Sequence, residues 1–217
     1  MSIITLTEEQ DLIKMTAKDF AAREVRPKAA ENDREGKFPN RLVDKMGELG
    51  FMGMMVPEEY GGSGLDCVSY VIALEELCAA CASTGIIMSV NNSLVCAPIL
   101  AFGSEKQKQA YLPDLAGGKK LGCFSLSEPD AGSDPASMRT IALRKNDSYV
   151  INGAKAWITN GAEADVMVLI AATDPSKGHH GISAFIIDMD NPGVKIAKLE
   201  HKLGIKATST AQIYFED

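Results

Sequence analysis

Phe124-Ser125-Leu126-Ser127-Glu128-Pro129-Asp130-Ala131-Gly132-Ser133-Asp134 stands where the periodicity of the chain changes. Upstream of it, apolar residues recur with the spacing of a helix face; downstream they gather into short runs rich in β-formers. The stretch reads as the end of a strand followed by a turn. The hydroxyls of Ser127 and Ser133, with the N–H groups around Ala131 and Gly132, make a surface of donors suited to a ring carbonyl or a phosphate. Composition alone fits an ordinary polar loop as well. The change of period places a domain boundary just before the stretch, giving an α+β multidomain chain. An all-α helical domain over 1–118 is followed by a mostly strand domain over 119–217.

Working toward the N-terminus, Thr7-x-x-Gln10 and Ser104-x-x-Gln107 both have capping-box spacing, in which hydroxyl and amide satisfy exposed backbone N–H groups at a helix start. The first box predicts a helix from there to about Arg34, ended by Gly36 and Pro39; a second helix follows over 41–49. Residues 51–65, with Pro57 and Gly61-Gly62-x-Gly64, predict irregular backbone. Asp66 caps a helix to about Ala82, another runs over about 85–95, and the second capping box opens one that stops at Gly117-Gly118.

Toward the C-terminus, 149–157, 166–172, 182–187 and 211–215 predict strands, spaced by turn residues such as Asn152-Gly153, Asn160-Gly161 and Asn191-Pro192-Gly193. Asn152-Gly153-x-Lys155-x-Trp157-Ile158-Thr159-Asn160-Gly161 holds the only tryptophan of the chain. A lone strand tryptophan is ordinarily core. Alternation along a strand would instead put Trp157 and Thr159 on one face.

The 217 residues carry a formal net charge of -7, which argues against a nucleic-acid partner, since binding phosphate backbones needs clustered Lys and Arg. Met1 leads into the charged Glu8-Glu9-Gln10-Asp11 without an apolar signal core. No apolar run is read as approaching the ~20 residues needed to cross a bilayer. A cytoplasmic protein is the expectation. Five cysteines, an odd count, argue against a disulfide framework. Cys78-x-x-Cys81 falls on one helical stripe with Cys67, Val71 and Leu74, which predicts a packed core face rather than a metal or redox site.

The stretch 124–134 resembles the signature of the acyl-CoA dehydrogenase family, a small and an aliphatic residue, then Thr or Ser, then Glu-Pro-x-Ala-Gly-Ser-Asp. Ser125 stands where that family usually has Ala, Gly or Cys, and Ser127 where Thr is commonest. The resemblance extends to the Trp157 motif, to Leu6-Thr7-x-x-Gln10, Pro57-x-x-Tyr60-Gly61-Gly62, Phe102-Gly103-Ser104-x-x-Gln107 and Ile213-x-Phe215-Glu216-Asp217. It leans to short-chain, butyryl-CoA dehydrogenase-like members through Lys177-Gly178-x-His180-Gly181-Ile182.

What the resemblance implies is an oxidoreductase of fatty acid metabolism, in which 119–217 is a mostly antiparallel β-barrel- or sandwich-like middle domain and the C-terminal helical bundle is absent. It would be a flavoprotein holding FAD through Phe124, Leu126, Ser127, Gly132 and Ser133 and through Trp157, Ile158 and Thr159. Trp157 would lie on the flavin, with the Thr159 hydroxyl near N5. Ser133 would also touch the pantetheine arm of an acyl-CoA substrate. A short-chain acyl-CoA would lose its α-proton to a carboxylate and its β-hydrogen as hydride to the flavin, and electrons would pass to electron-transfer flavoprotein. The base is a Glu of a C-terminal helical domain, expected beyond Asp217, so no catalytic residue is assigned here and the chain reads as a fragment inactive alone. Glu128 reads as support for the loop. That further domain also makes much of the homotetramer contact in the family. Two alternatives stay open, an acyl-CoA oxidase-like flavoenzyme and a non-catalytic binding module.

Overall fold

The computed structural model describes residues 5–217 and divides into two compact units. One unit holds the chain up to Lys119 together with Lys202–Thr208; the other holds Lys120–His201 and Ser209–Asp217.

The first unit is helical. Helix α1 (Glu8–Phe20) passes through a π-helical turn, Ala21–Val25, into α2 (Arg26–Glu35), and Gly36 ends it in the left-handed conformation at φ 62°. The Thr7 capping box forms, with Gln10 N donating to Thr7 Oγ1 at 3.2 Å and Thr7 N donating back to Gln10 Oε1 at 3.1 Å. After α3 (Asn40–Glu48), the Gly- and Pro-rich segment makes two 3₁₀ turns, Phe51–Gly53 and Glu58–Tyr60. Two asparagines hold this irregular backbone. Asn92 accepts from Met54 N at 2.8 Å and donates to Phe51 O at 2.8 Å, while Asn91 donates to Met52 O at 2.8 Å and Leu115 O at 3.0 Å. Both are buried, and they satisfy loop groups that would otherwise be stranded in the core.

These asparagines lie on a helix longer than its sequence suggests. Helices α5 (Ala82–Ser89) and α6 (Ala97–Phe102) are joined by the π-helical stretch Val90–Cys96, so that Ala82–Phe102 is one helix of 21 residues. By length and composition it is apolar enough to cross a membrane, contrary to the expectation that no segment approaches that length. Its Ser and Asn residues disguise it in the sequence. Half of it is buried within the protein. The unit closes with α7 (Glu105–Ala116), capped by Ser104 and Gln107 as expected.

Helix α4 (Cys67–Ala80) corrects the cysteine reading. Asp66 caps it, accepting from Ser69 N at 2.7 Å, but its buried face is Ser69, Tyr70, Ile72, Ala73 and Leu77. Cys67 and Val71 are exposed, Cys78 and Cys81 only partly covered. Apart from Glu75 and Glu76 the helix is apolar around most of its circumference, so periodicity did not select which stripe packs. Among the described residues, no cluster of His, Cys, Asp or Glu could hold a metal ion.

The second unit is a seven-stranded sheet: β1 (Gly122–Ser125), β2 (Ile141–Lys145), β3 (Ser148–Thr159), β4 (Val166–Ala172), β5 (Ile182–Asp188), β6 (Val194–Leu199) and β7 (Thr210–Phe215). The pairings β2–β3, β3–β7, β7–β6 and β4–β5 are antiparallel. β1 runs parallel to β4 over 166–169 and β2 meets the same strand at Ala172, so the two follow one another along one side of it. Residues of β1, β3, β4 and β7 share one core: Cys123, Ile158, Met167, Leu169, Ala211, Ile213 and Phe215. The sheet therefore curls around its own apolar face.

Two strands, β2 and β6, lie outside the predicted set, whereas β1 supplies the strand end expected at 124–125. β1 is four residues long, β2 turns into β3 through Asn146-Asp147 with Asn146 at φ 57°, and β6 is almost wholly exposed with Lys195 and Lys198 among its residues. Asn152-Gly153, expected as a turn, lies inside β3, with Gly153 opposite Phe215. A Cβ there would fall 2.5 Å from Thr140 Oγ1 and 2.7 Å from Thr140 Cα, so glycine is required by close approach and not by a turn. Residues 202–208, within the span read as the middle domain, cluster with the helices; Lys206 N donates to Asp33 Oδ1 at 2.9 Å.

Candidate functional site

The stretch 124–134 leaves β1 and turns back on itself through Glu128 and Ala131, whose N–H groups donate to each other's carbonyls at 2.9 and 3.2 Å. Asp134 then caps a short 3₁₀ turn, Pro135–Ser137. Glu128 is 5% exposed and is the anchor. Its Oε2 accepts from Arg139 N at 2.6 Å, and its Oε1 accepts from Thr140 N at 2.9 Å and Lys155 Nζ at 2.9 Å. Burial alone would raise the carboxyl pKa, but these donors outweigh it and hold Glu128 below its ordinary value, so it stays ionised. The role of loop support fits this geometry, and a carboxylate so engaged is not free to take a proton from a ligand.

Lys155 comes from the second motif, on β3, and is fully buried. Besides Glu128 it donates to Leu126 O at 2.8 Å, and the neighbouring Ala156 N donates to Ser127 O at 2.9 Å. Three consecutive residues of the loop are thus bonded to two consecutive residues of the strand. Burial pulls the lysine pKa down against the attraction of its carboxylate. A lysine set between Ala154 and Ala156-Trp157-Ile158 was the sequence signal for this contact; its partner was not legible.

Directly after Lys155 the strand is irregular. Lys155 pairs with Ile213 and Ile158 with Ala211, three steps on β3 against two on β7, so one extra residue is accommodated between them. Trp157 lies in this bulge at φ 64°, a left-handed conformation that costs a bulky side chain of order 1–3 kcal/mol. The residue is 64% exposed, which sets aside the core reading of a lone tryptophan. Ile158 turns its side chain into the sheet core, leaving only its backbone for a ligand, and Thr159 is partly exposed. Trp157 is exposed and Thr159 partly exposed on either side of buried Ile158, although simple alternation fails one step earlier, where Lys155 and Ala156 are both buried.

Of the remaining candidates, Phe124, Leu126 and Ser127 are partly buried, while Gly132 and Ser133 are exposed. Leu126 packs against Ala131, Met138 and Ala172. A Cβ at Gly132 would meet nothing within 4 Å. Among the described residues the hydroxyls of Ser127, Ser133 and Thr159 take part in no side-chain hydrogen bond. The site thus presents unengaged hydroxyls, an open glycine and a strained, solvent-facing indole, held by a buried ion pair. That donor set, with one aromatic plane, fits a planar heteroaromatic cofactor carrying carbonyl and phosphate groups.

Residues 7–119 match the family model for the acyl-CoA dehydrogenase N-terminal domain, and residues 123–217 match that for the middle domain. The chain belongs to the acyl-CoA dehydrogenase family. The mouse short-chain specific acyl-CoA dehydrogenase is 53% identical over 214 residues, 99% of this chain and 52% of the mouse protein. The chain thus spans about half the length of the curated relatives it matches. Butyryl-CoA dehydrogenase from Megasphaera elsdenii superposes with a TM-score of 0.95 at 41% identity, covering 100% of this chain and 57% of that one. A chain in a structural study of the electron transferring flavoprotein of Acidaminococcus fermentans gives 0.96 at 47% identity, covering 100% and 57%. A Mycobacterium smegmatis glutaryl-CoA dehydrogenase in complex with FADH2 gives 0.92 at 36% identity, covering 98% and 53%. Family and fold are therefore those expected from the signature.

Proposed function

We propose that this acyl-CoA dehydrogenase chain holds FAD on the surface formed by 124–133 and 157–159, as part of an enzyme that oxidises a short-chain acyl-CoA to the trans-2-enoyl-CoA. The observation that carries the reading is Trp157, a strained and solvent-facing indole held in place by the signature loop. An exposed aromatic plane that costs strain is explained by a ligand that stacks on it. The FADH2 complex of the M. smegmatis relative supports the choice of flavin.

FAD, when bound, accepts the β-hydrogen of the substrate as hydride. The protein's own share is to hold and orient. Trp157 offers its ring as a platform, Ser127 and Thr159 offer hydroxyl donors to ring heteroatoms, and Gly132 and Ser133 leave room and a donor for phosphate or for the pantetheine arm. Glu128 orders the loop and does no proton transfer, because its oxygens are already committed to three donors. The α-proton is then removed by a carboxylate outside these 217 residues. Electron-transfer flavoprotein as acceptor is supported by the Acidaminococcus relative, and a homotetramer is the assembly proposed for the whole enzyme.

The test is equilibrium titration of the 217-residue chain with FAD, read by the emission of its single tryptophan. Saturable quenching that is lost in Ser127→Ala/Ser133→Ala chains is expected. Wild-type chain that leaves FAD free at high micromolar concentration would overturn the assignment.

A further inference from the structure

Lys155 and Glu128 do more than satisfy one another. Lys155 reaches Leu126 O and Glu128 Oε1, on either side of Ser127, while Ala156 N takes the carbonyl of Ser127 itself. Two residues further along β3 comes Trp157, in the bulge that begins at Lys155. Glu128 in turn holds the backbone of Arg139 and Thr140, and Thr140 Oγ1 reaches Ala154 O at 3.4 Å, back on β3. The contacts form a closed circuit: loop, 139–140 segment, β3, loop.

We infer that the buried Lys155–Glu128 pair is a positioning device for the cofactor surface, fixing the β3 bulge so that the Trp157 plane and the Ser127 hydroxyl stand in one set relation. The inference rests on the proposed FAD site. Its physical ground is that a buried ion pair is a costly way to fill space. An apolar pair of similar volume is often equally stable or more so, whereas the ionic pair has direction and so selects one register among several. The strain at Trp157 demands such selection, because a left-handed tryptophan relaxes unless its surroundings over-determine it. Lys155 donates to two acceptors two residues apart, which no apolar side chain reproduces. Both side chains are buried, Lys155 at 0% and Glu128 at 5% exposure, so both act through Ser127 and Trp157.

The experiment compares wild type with Lys155→Met, with the Lys155→Met/Glu128→Gln double variant, and with Met167→Ala, a core truncation in the same sheet. Two readouts are taken on the 217-residue chain. The first, without flavin, is the near-ultraviolet circular dichroism of Trp157 and its quenching by acrylamide. The second is the dissociation constant for FAD. Both Lys155 variants are expected to alter the Trp157 signal and to weaken FAD by about ten-fold or more, as loss of an orienting partner does elsewhere. Met167→Ala should lower stability yet keep FAD affinity within about two-fold.

If Lys155→Met fails to fold, the double variant decides, since it buries no lone charge. Folded Lys155 variants with an unchanged Trp157 signal and wild-type FAD affinity would overturn the inference. So would an equal loss of affinity in Met167→Ala, which would reduce the pair to general stability. If wild type itself binds no FAD, the functional reading fails, and the flavin-free Trp157 signal still decides whether the pair positions the bulge.

Discussion

Replacing Glu128 by glutamine keeps the shape of the side chain and exchanges one acceptor for a donor. Oε2 accepts from Arg139 N at 2.6 Å, and Oε1 from Thr140 N and Lys155 Nζ, both at 2.9 Å. Whichever way the amide turns, its NH2 faces at least one N–H donor. An unsatisfied buried donor costs about 1–3 kcal/mol. The larger effect is on Lys155, which is 0% exposed and loses its counter-charge. Breaking a buried pair from one side costs about 3–5 kcal/mol, a range that includes the unsatisfied donor. We therefore expect Glu128→Gln to lose about 3–5 kcal/mol in urea unfolding at pH 7. Trp157 emission reports the sheet in that assay and far-ultraviolet circular dichroism the helices. The pH dependence gives a second signature. Because the folded carboxyl pKa lies below its ordinary 4.5, the stability it contributes is fully present above 4.5 and is lost as pH falls through the folded value. Glu128→Gln should lack that acid slope. A loss below about 1 kcal/mol, the range of an exposed pair, would refute the reasoning.

Gly153→Ala should be destabilising by about 1–3 kcal/mol, since its Cβ would meet Thr140 Cα at 2.7 Å and backbone cannot step aside; a neutral result in urea unfolding would contradict the close approach. Trp157→Gly should leave stability unchanged or raise it by about 1 kcal/mol by relieving the φ 64° conformation, while abolishing detectable FAD binding; a large loss of stability would return the residue to the core. Cys96 and Cys123, whose thiol pKa values burial pushes up to about 12, should resist iodoacetamide at pH 8 in native protein, whereas the exposed Cys67 is alkylated. Mass spectrometry of the alkylated peptides checks this, and early labelling of Cys123 would contradict a closed sheet core.

Local signals in the sequence translated well wherever a short-range rule decides the backbone. Both capping boxes form, Gly36 and Gly50 end their helices at positive φ, and Asp66 caps α4. The candidate site was legible through its two motifs, and the structure brings them into direct hydrogen-bonded contact. What stayed hidden depends on long-range contact. No pattern within β3 announces the extra residue at Trp157, because a bulge is defined by the partner strand. Gly153 reads as a turn until Thr140 is seen beside it. The packed stripe of α4 was chosen by its neighbours α1 and α5, and the length of the Ala82–Phe102 helix was masked by polar residues whose hydrogen bonds lie on distant loops.

The solvent-facing indole beside the signature loop is the proposed flavin platform. Titrating the 217-residue chain with FAD while recording Trp157 emission tests it most directly, because no other tryptophan contributes. Saturable quenching at one FAD per chain, absent in the Ser127→Ala/Ser133→Ala chain, is the predicted result. Emission that follows only the collisional quenching of free tryptophan, with all FAD recovered unbound, would contradict it.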